Sequence, residues 1–486
     1  MMSRDATFRG KRPMKALRVP FAVLLLASLC LGEAPSLQDC LAAAAVSLEK
    51  ELHAVIGVAA ADLRSGATLA EWRGGEKLIP ASNQKLLTSA FALARLGEGF
   101  QFTTTLHLVG RDLVIVGDGD PTLGDPVLAA ASGGTIYDEL DSWAAAVKAR
   151  TGGSLSGDII VCDPRHPESY RHPDWPAASH SQWYAAPAAT LNFNNNCLDI
   201  ALAVEGDKVT ADVKPASRFI TVVNKARRGK RQSWSARMAK DDSEVTIRGT
   251  VANATTEPVN VAVNDPPLLL GRVLADRLLR AGVSFSGQVR RRETSSADLA
   301  PAEVICRKAT PLGVVLSRAN KRSLNMAAEC VFLRAGDGTW SGSAALMTKT
   351  LVEGCGLKED DLVVRDGGGL SRNNRIAPAA LVKLLAAAAR RQDADVFLAS
   401  LPASGIDGTM EKRLDRPPYR GRILGKTGYI AGVSSLSGYV LDGSGRPAIA
   451  FSILANKVPG GKGWKAKQLQ DQICRWLADS IGAGVE

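Results

Sequence analysis

Apolar positions at helical spacing alternate along the chain with short runs of β-like texture. Residues 41–52 have the Ala/Leu/Glu/Lys texture of a helix, and residues 54–63 and 68–72, separated by Ser65-Gly66, predict a hairpin. A helix then starts near Ser82: Leu86, Leu87, Ala90, Phe91, Leu93 and Ala94 share helical spacing over 83–96, and Gly97 is a natural terminator. From about Phe100 to Arg292 the pattern changes to short β-like runs, at 102–109, 113–116, 158–161, 198–204, 219–223 and 245–251, separated by turns rich in Gly, Asp and Asn. Helical spacing returns at 268–279 and again at 312–333, 344–353 and 377–391. Strands at 435–440 and 448–455 and a helix at 465–481 close the sequence. No internal repeat is visible. A long β-rich block flanked by two α/β segments predicts an insertion into a discontinuous domain whose outer segments fold together.

Composition narrows the class. The 486 residues are 45% hydrophobic and 22% charged, close to the soluble globular average, which excludes global disorder, collagen and a multi-span membrane protein. The length predicts more than one domain. Sixty Lys and Arg against 49 Asp and Glu give a net charge of +11, which permits attraction to anionic surfaces such as phospholipid or acidic wall polymer. The basic runs at 225–231 and 290–292 read as solvated loops; with no zinc finger or aromatic-basic RNA motif beside them, no nucleic-acid partner is expected.

The first residues carry Arg4, Arg9, Lys11, Arg12, Lys15 and Arg18 ahead of an apolar run at 19–31, which is the charged and hydrophobic order of an export signal over 1–34. The run is shorter than the roughly 20 residues needed to cross a bilayer. Gly32 and Ala34 offer cleavage points, and Cys30 follows Leu29 rather than the small residue usual before a lipidated cysteine. Export to the periplasm or cell envelope would leave seven cysteines in an oxidising compartment, for which the pairings Cys162–Cys197, Cys330–Cys355 and Cys40–Cys474 are candidates, although spacing does not determine connectivity. The histidines, His53, His107, His166, His172 and His180, are scattered without ligand spacing, so neither a metal nor an organic cofactor is expected.

Three short motifs carry the chemistry. In Ser82-Asn83-Gln84-Lys85 the i, i+3 spacing puts a hydroxyl and an amine on one helical face. A lysine whose pKa falls from ~10.4 toward 7 or 8 can deprotonate a serine, and the N-terminus of a helix favours a developing oxyanion. Taken alone, the motif reads as a helix cap at Ser82 and a surface residue at Lys85 rather than as a catalytic pair. Ser323-Leu324-Asn325 opens a helical run and offers a hydroxyl to relay a proton and a carboxamide to hold a substrate amide. Lys426-Thr427-Gly428 suits a carboxylate ligand, with Gly428 allowing a substrate backbone to approach. A phosphate loop is excluded there, because Gly421 and Gly425 enclose only three residues. Gly117, Gly119 and Gly124 likewise miss the dinucleotide fingerprint.

In the order SxxK, SxN, KTG these motifs form the signature shared by class A β-lactamases and penicillin-binding proteins. The chain resembles the class C low-molecular-mass penicillin-binding proteins, the D-alanyl-D-alanine carboxypeptidase and endopeptidase family. Gly119-Asp120-Pro121-Thr122-Leu123, Gly157-Asp158-Ile159-Ile160, the Trp183–Pro187 stretch with Asn194-Asn195-Asn196, Asp366–Arg372, and Leu401-Pro402 with Gly405–Gly408 are similar to family segments in family order. The resemblance covers roughly residues 40 to 480.

The resemblance implies an α/β (α+β) fold: a discontinuous transpeptidase-like domain, a sheet covered by helices, at 35–98 and 303–486, with a β-rich region of two small domains inserted at 99–302 between SxxK and SxN. It implies Ser82 as the acylated nucleophile, Lys85 as its base, Ser323 as a relay toward the leaving D-alanine and Asn325 as the residue that orients the peptide. Lys426 and Thr427 would anchor the terminal carboxylate, and Lys426 would help keep Lys85 neutral. Gly428 would leave room for substrate, and the N–H groups of Ser82 and Tyr429 would form the oxyanion hole. Asp163 would meet the amine of a diaminopimelate-type side chain in a pocket lined by Arg372, although a surface ion pair or a loop turn accounts equally well for either residue. The implied partners are peptidoglycan stem peptides ending in D-Ala-D-Ala or crosslinked, with β-lactams as inhibitors. Leu324 stands where the family often has Asp, Gly368 replaces a Ser, and Tyr429 and Ile430 replace smaller or polar residues, departures that bear on side-chain specificity. A β-lactamase or esterase on the same Ser-Lys site, and a non-catalytic wall-binding module, are the alternatives.

Overall fold

Five antiparallel strands, in the order Ile423–Ile430, Val433–Leu441, Pro447–Asn456, Val55–Asp62 and Thr68–Trp72, bring the two ends of the chain into one sheet. The join is the pairing of Val55–Asp62 with Pro447–Asn456, which runs from Val55 opposite Asn456 to Asp62 opposite Ile449. This is a computed structural model, and it describes residues 35–165, 167–292 and 303–482. The expected export signal, Cys30 and His166 lie outside the described residues. Among the described residues, no helix is long and apolar enough to cross a membrane.

Strand Val433–Leu441 is buried at every position because both faces of the sheet are covered. On one side Ile56, Val58, Leu436, Phe451 and Ile453 belong to a core shared with helices Leu37–Leu52 and Gly463–Gly482. On the other, Ala59, Tyr439, Ala450 and Leu454 join helices Gln84–Leu96, Asn325–Ala335 and Pro378–Ala389. The alternation of Val58 with Ala59 is the two-residue period of a strand serving two cores.

The periodic stretch 312–333 is two helices, Leu312–Lys321 and Asn325–Ala335, rather than a continuous one. Ser323 has φ of 56°, a left-handed conformation that a right-handed helix does not accommodate. The break places Ser323 on the turn and makes Asn325 the first residue of the second helix.

The inserted region builds a second sheet in the order Val289–Arg292, Ile159–Cys162, Asp112–Gly117, Gln101–Val109 and Glu303–Pro311. Glu303–Pro311 pairs antiparallel with Gln101–Val109, so this sheet takes up residues that the expected boundary at 303 assigned to the outer segment. Helices Asp138–Thr151 and Pro266–Arg280 share a core with the sheet through Leu140, Trp143, Val147, Leu270 and Leu274. The first of them was not read from the sequence, although Leu140, Trp143, Ala144 and Val147 follow helical spacing and three acidic residues in its first turn suit a helix N-terminus. The insert also holds two three-stranded sheets, one of Thr221–Arg228, Ser233–Met238 and Glu244–Val251, the other of Cys197–Glu205, Lys208–Lys214 and Val259–Ala262, and a short parallel pairing of Ser154–Leu155 with Ser284–Phe285.

None of the three candidate disulfides forms: Cys40, Cys197, Cys330, Cys355 and Cys474 are free thiols. Cys330 faces Asn192 and Met326, whereas Cys355 ends a different helix, Trp340–Cys355; Cys474 is buried, whereas Cys40 points its sulfur at the Pro35 carbonyl. Proximity in sequence and docking of the termini therefore misled, because each cysteine is oriented by its own helix or strand.

Insert and outer segments are tied by a buried ion pair, Arg318 Nε to Asp125 Oδ2 at 2.7 Å, in which Asp125 also caps helix Pro126–Ala131. Arg318→Ala strands a buried carboxylate and is expected to cost about 3 kcal/mol in denaturant unfolding. Arg150→Ala, at an exposed pair with Glu303, should leave the unfolding midpoint nearly unchanged.

Candidate active site

The nucleophile motif sits where the chain turns from the sheet into a buried helix. Ala81–Asn83 form a single 3₁₀ turn that runs directly into helix Gln84–Leu96, so Ser82 lies on the turn and Lys85 in the first helical turn. Asn83 anchors this geometry to the sheet: its Nδ2 donates to the Lys426 carbonyl at 2.6 Å, and its Oδ1 accepts from the Ser437 hydroxyl at 2.7 Å. The Ser435 hydroxyl donates to the Pro80 carbonyl at 2.7 Å. Gly428 lets the edge strand come against the same turn. A Cβ there would stand 2.1 Å from Ser435 Oγ and 2.9 Å from the Ser82 nitrogen, so the position admits only glycine without displacing one of them.

Lys85 is fully buried and has three polar neighbours. Its Nζ lies 2.6 Å from Asn325 Oδ1, 2.6 Å from the Gly368 carbonyl oxygen and 3.3 Å from Ser82 Oγ. The first two can only accept, so a neutral amine spends its two N–H groups on them and is left with a lone pair toward the serine hydroxyl. Asn325 is itself held with its oxygen toward the amine, because its Nδ2 donates to the Tyr184 carbonyl at 2.7 Å. Burial pulls Lys85 down to about 8, against the opposing pull of Glu329 and Asp366.

Lys426 is also fully buried, with Nζ 2.9 Å from Ser323 Oγ and 2.6 Å from the Thr427 carbonyl. Burial first and the neighbouring Lys85 second hold its pKa well below the ordinary lysine value. This revises the expected division of labour: burial is the leading cause at Lys85, and the repulsion between the two amines is felt at Lys426. One cavity does not accommodate both as cations.

The structure thus joins Ser82, Lys85 and Asn325 in one hydrogen-bonded group and Ser323 with Lys426 in a second, and Asn83 ties the Lys426 backbone to the turn that carries Ser82. Thr427 bonds to Thr409 Oγ1 at 2.8 Å, and the Tyr429 ring stands 66% exposed at the end of the same strand. Arg372 donates to the Ala431 carbonyl at 2.7 Å, on the turn after that strand. Asp163 is not presented to a ligand. It is fully buried, and its two oxygens accept from the N–H groups of Arg165 and Thr190 at 2.8 and 3.1 Å. An aspartate at the end of strand Ile159–Cys162 finds backbone donors in the following loop before it finds a substrate.

The model of the D-Ala-D-Ala carboxypeptidase 3 (S13) family matches residues 38–480. The chain belongs to that family. It is a serine-type peptidase of the D-alanyl-D-alanine carboxypeptidase group, and a class C low-molecular-mass penicillin-binding protein. It is similar to the D-alanyl-D-alanine carboxypeptidase of Actinomadura sp., 30% identical over 94% of this chain and 89% of the relative. The D-alanyl-D-alanine carboxypeptidase DacB of Haemophilus influenzae is 23% identical over 82% of this chain and 84% of its own length. Among solved structures, penicillin-binding protein 4 of Haemophilus influenzae superposes with a TM-score of 0.73 at 22% identity, covering 90% of this chain and 99% of that one. That protein has also been solved with a bound β-lactam. The family's fold, mixed helices and sheets with β-rich insertions, is the fold of this chain.

Four contributors to the S13 site were missed in the sequence: Asn83, the Tyr184 carbonyl, the Gly368 carbonyl and Glu329. Tyr184 and Gly368 lay inside segments matched to the family, but backbone groups leave no trace in side-chain identity. Asn83 occupies a variable position of SxxK. Glu329 follows Asn325 by one helical turn, a spacing that could have flagged it.

Proposed function

We propose that this S13 enzyme hydrolyses peptidoglycan stem peptides outside the cytoplasm through an acyl-enzyme on Ser82, acting on D-Ala-D-Ala termini and on crosslinks. One observation carries the reading: the buried Lys85 amine, with both N–H groups committed to carbonyl oxygens, faces the Ser82 hydroxyl. Lys85 takes the hydroxyl proton as Oγ bonds to the substrate carbonyl, and the N–H groups of Ser82 and Tyr429 hold the oxyanion. The C–N bond to the terminal residue breaks as its nitrogen receives a proton through Ser323. Water then adds to the ester with Lys85 as base again, and the acid leaves. Lys426 and Thr427 hold the terminal carboxylate. That anion favours a proton on Lys426, and the new cation drives Lys85 further toward neutrality. Arg372 lies beside the same strand, bonded to the Ala431 carbonyl. A penicillin acylates Ser82 by the same attack on its strained carbonyl.

The test is release of free D-alanine from a pentapeptide ending in D-Ala-D-Ala, beside a digest of crosslinked muropeptides. The expected result is D-alanine release, loss of crosslinked dimers, or both. Neither product and no penicillin adduct would point to a wall-binding role, and rapid turnover of penicillin to a β-lactamase.

A further inference from the structure

The helix that supplies Asn325 carries a second buried polar residue one turn on, and nothing in the acylation steps uses it. Glu329 is fully buried, and its carboxyl accepts from two consecutive backbone N–H groups, Gly367 to Oε2 and Gly368 to Oε1, each at 2.7 Å. The carbonyl of that same Gly368 accepts from Lys85 Nζ at 2.6 Å. Gly368 leaves no slack in this arrangement: a Cβ there would stand 2.6 Å from Glu329 Oε1 and 3.3 Å from Asn325 Cβ.

We propose that Glu329 is a positioning residue of the general base: gripping the Gly367-Gly368 backbone, it holds the Gly368 carbonyl against the Lys85 amine. The inference rests on the reading of Lys85 as base and deepens it. Glu329 fixes the peptide between Gly367 and Gly368, and Asp366 Oδ1, accepting from the Gly369 N–H at 2.8 Å, fixes the next one, so the Gly368 carbonyl between these two anchors has one direction. Asn325 and Glu329 therefore deliver the two acceptors that hold the amine, one by its own side chain and one through backbone.

The charged groups around this centre come from three directions. Lys85 faces it from helix Gln84–Leu96, with Lys426 beyond it on the edge strand. Asp366 faces it from the loop before Gly367. His172 in the insert interacts with Asp366 in turn. Burial and Asp366 raise the Glu329 pKa well above the ordinary glutamate value, and Glu329 raises that of Lys85. Removing the carboxylate therefore moves the Lys85 midpoint to lower pH while loosening its aim.

The test is the second-order rate of acylation by a fluorescent penicillin, measured against pH for wild type, Glu329→Gln and Glu329→Asp, with folding checked by thermal melting. Glu329→Gln offers one acceptor for two N–H donors. It should lose about a hundredfold on the high-pH plateau, the scale of a 1 Å misplacement, and shift the acid limb to lower pH. A fall in plateau with an unmoved midpoint overturns the proposal, because a merely structural role does that; so does a wild-type profile. Should Glu329→Gln not fold, Glu329→Asp decides: a lowered plateau with a displaced midpoint supports the proposal, and a lowered plateau with the midpoint kept, or a wild-type rate, overturns it. A wild type that takes no label would instead count against the Ser82 reading.

Discussion

Replacing Ser82 by alanine is expected to abolish covalent labelling by a fluorescent penicillin and to reduce D-alanine release by about 10⁴-fold or more, the scale seen when the nucleophile of an acyl-transfer site is deleted. The rest of the cleft should survive. Lys85 keeps its bonds to Asn325 Oδ1 and the Gly368 carbonyl, and the turn keeps its anchor through Asn83 to Lys426 and Ser437. The variant should therefore still bind the stem peptide non-covalently, with an affinity close to that of wild type. Intact-protein mass spectrometry after penicillin treatment reads the first outcome and calorimetry with a non-hydrolysed peptide the second. An adduct on Ser82→Ala would place the nucleophile elsewhere, and Ser323 would be the first residue to examine.

The second large effect is at Lys85. A base must be neutral to act, and burial holds this amine at about 8. Acylation should therefore fall as pH drops through that value and level off above it. An ordinary lysine, with its pKa near 10.4, would still be gaining activity there. Lys85→Met keeps much of the volume and removes the lone pair. It should lower the acylation rate by about 10³-fold and erase the acid limb, since general-base catalysis contributes about 10²- to 10⁴-fold. Stopped-flow acylation from pH 5 to pH 10 reads both. A limb that persists in Lys85→Met would assign the base to another group, with Lys426, hydrogen-bonded to Ser323, as the candidate.

How far the sequence reached depended on whether a feature was local. Helix Gln84–Leu96 and strands Val433–Leu441 and Pro447–Asn456 were legible from periodicity, because their apolar residues repeat at the spacing of the element that buries them. SxxK, SxN and KTG were legible as an ordered set, because acyl transfer by a Ser-Lys pair needs those side chains and few others. The break at Ser323 was not, since apolar spacing continues across it and only backbone conformation separates the two helices. The disulfides failed for a related reason: spacing along a chain says little about the direction in which two cysteines point. Asp163 matched a family position in sequence, yet its carboxylate is enclosed by backbone donors.

The sequence by itself determined the three motifs and their order along the chain, and it singled out the residues proposed for the chemistry. These follow from residue type and hydrophobic period, which act within a few residues. Only the tertiary structure decided that Lys85 is buried, that two carbonyl oxygens engage its N–H groups, and that Glu329 grips the backbone N–H groups next to one of them. Those facts depend on residues hundreds of positions apart meeting in a space without water, where each missing hydrogen bond costs free energy and each charge shifts its neighbour.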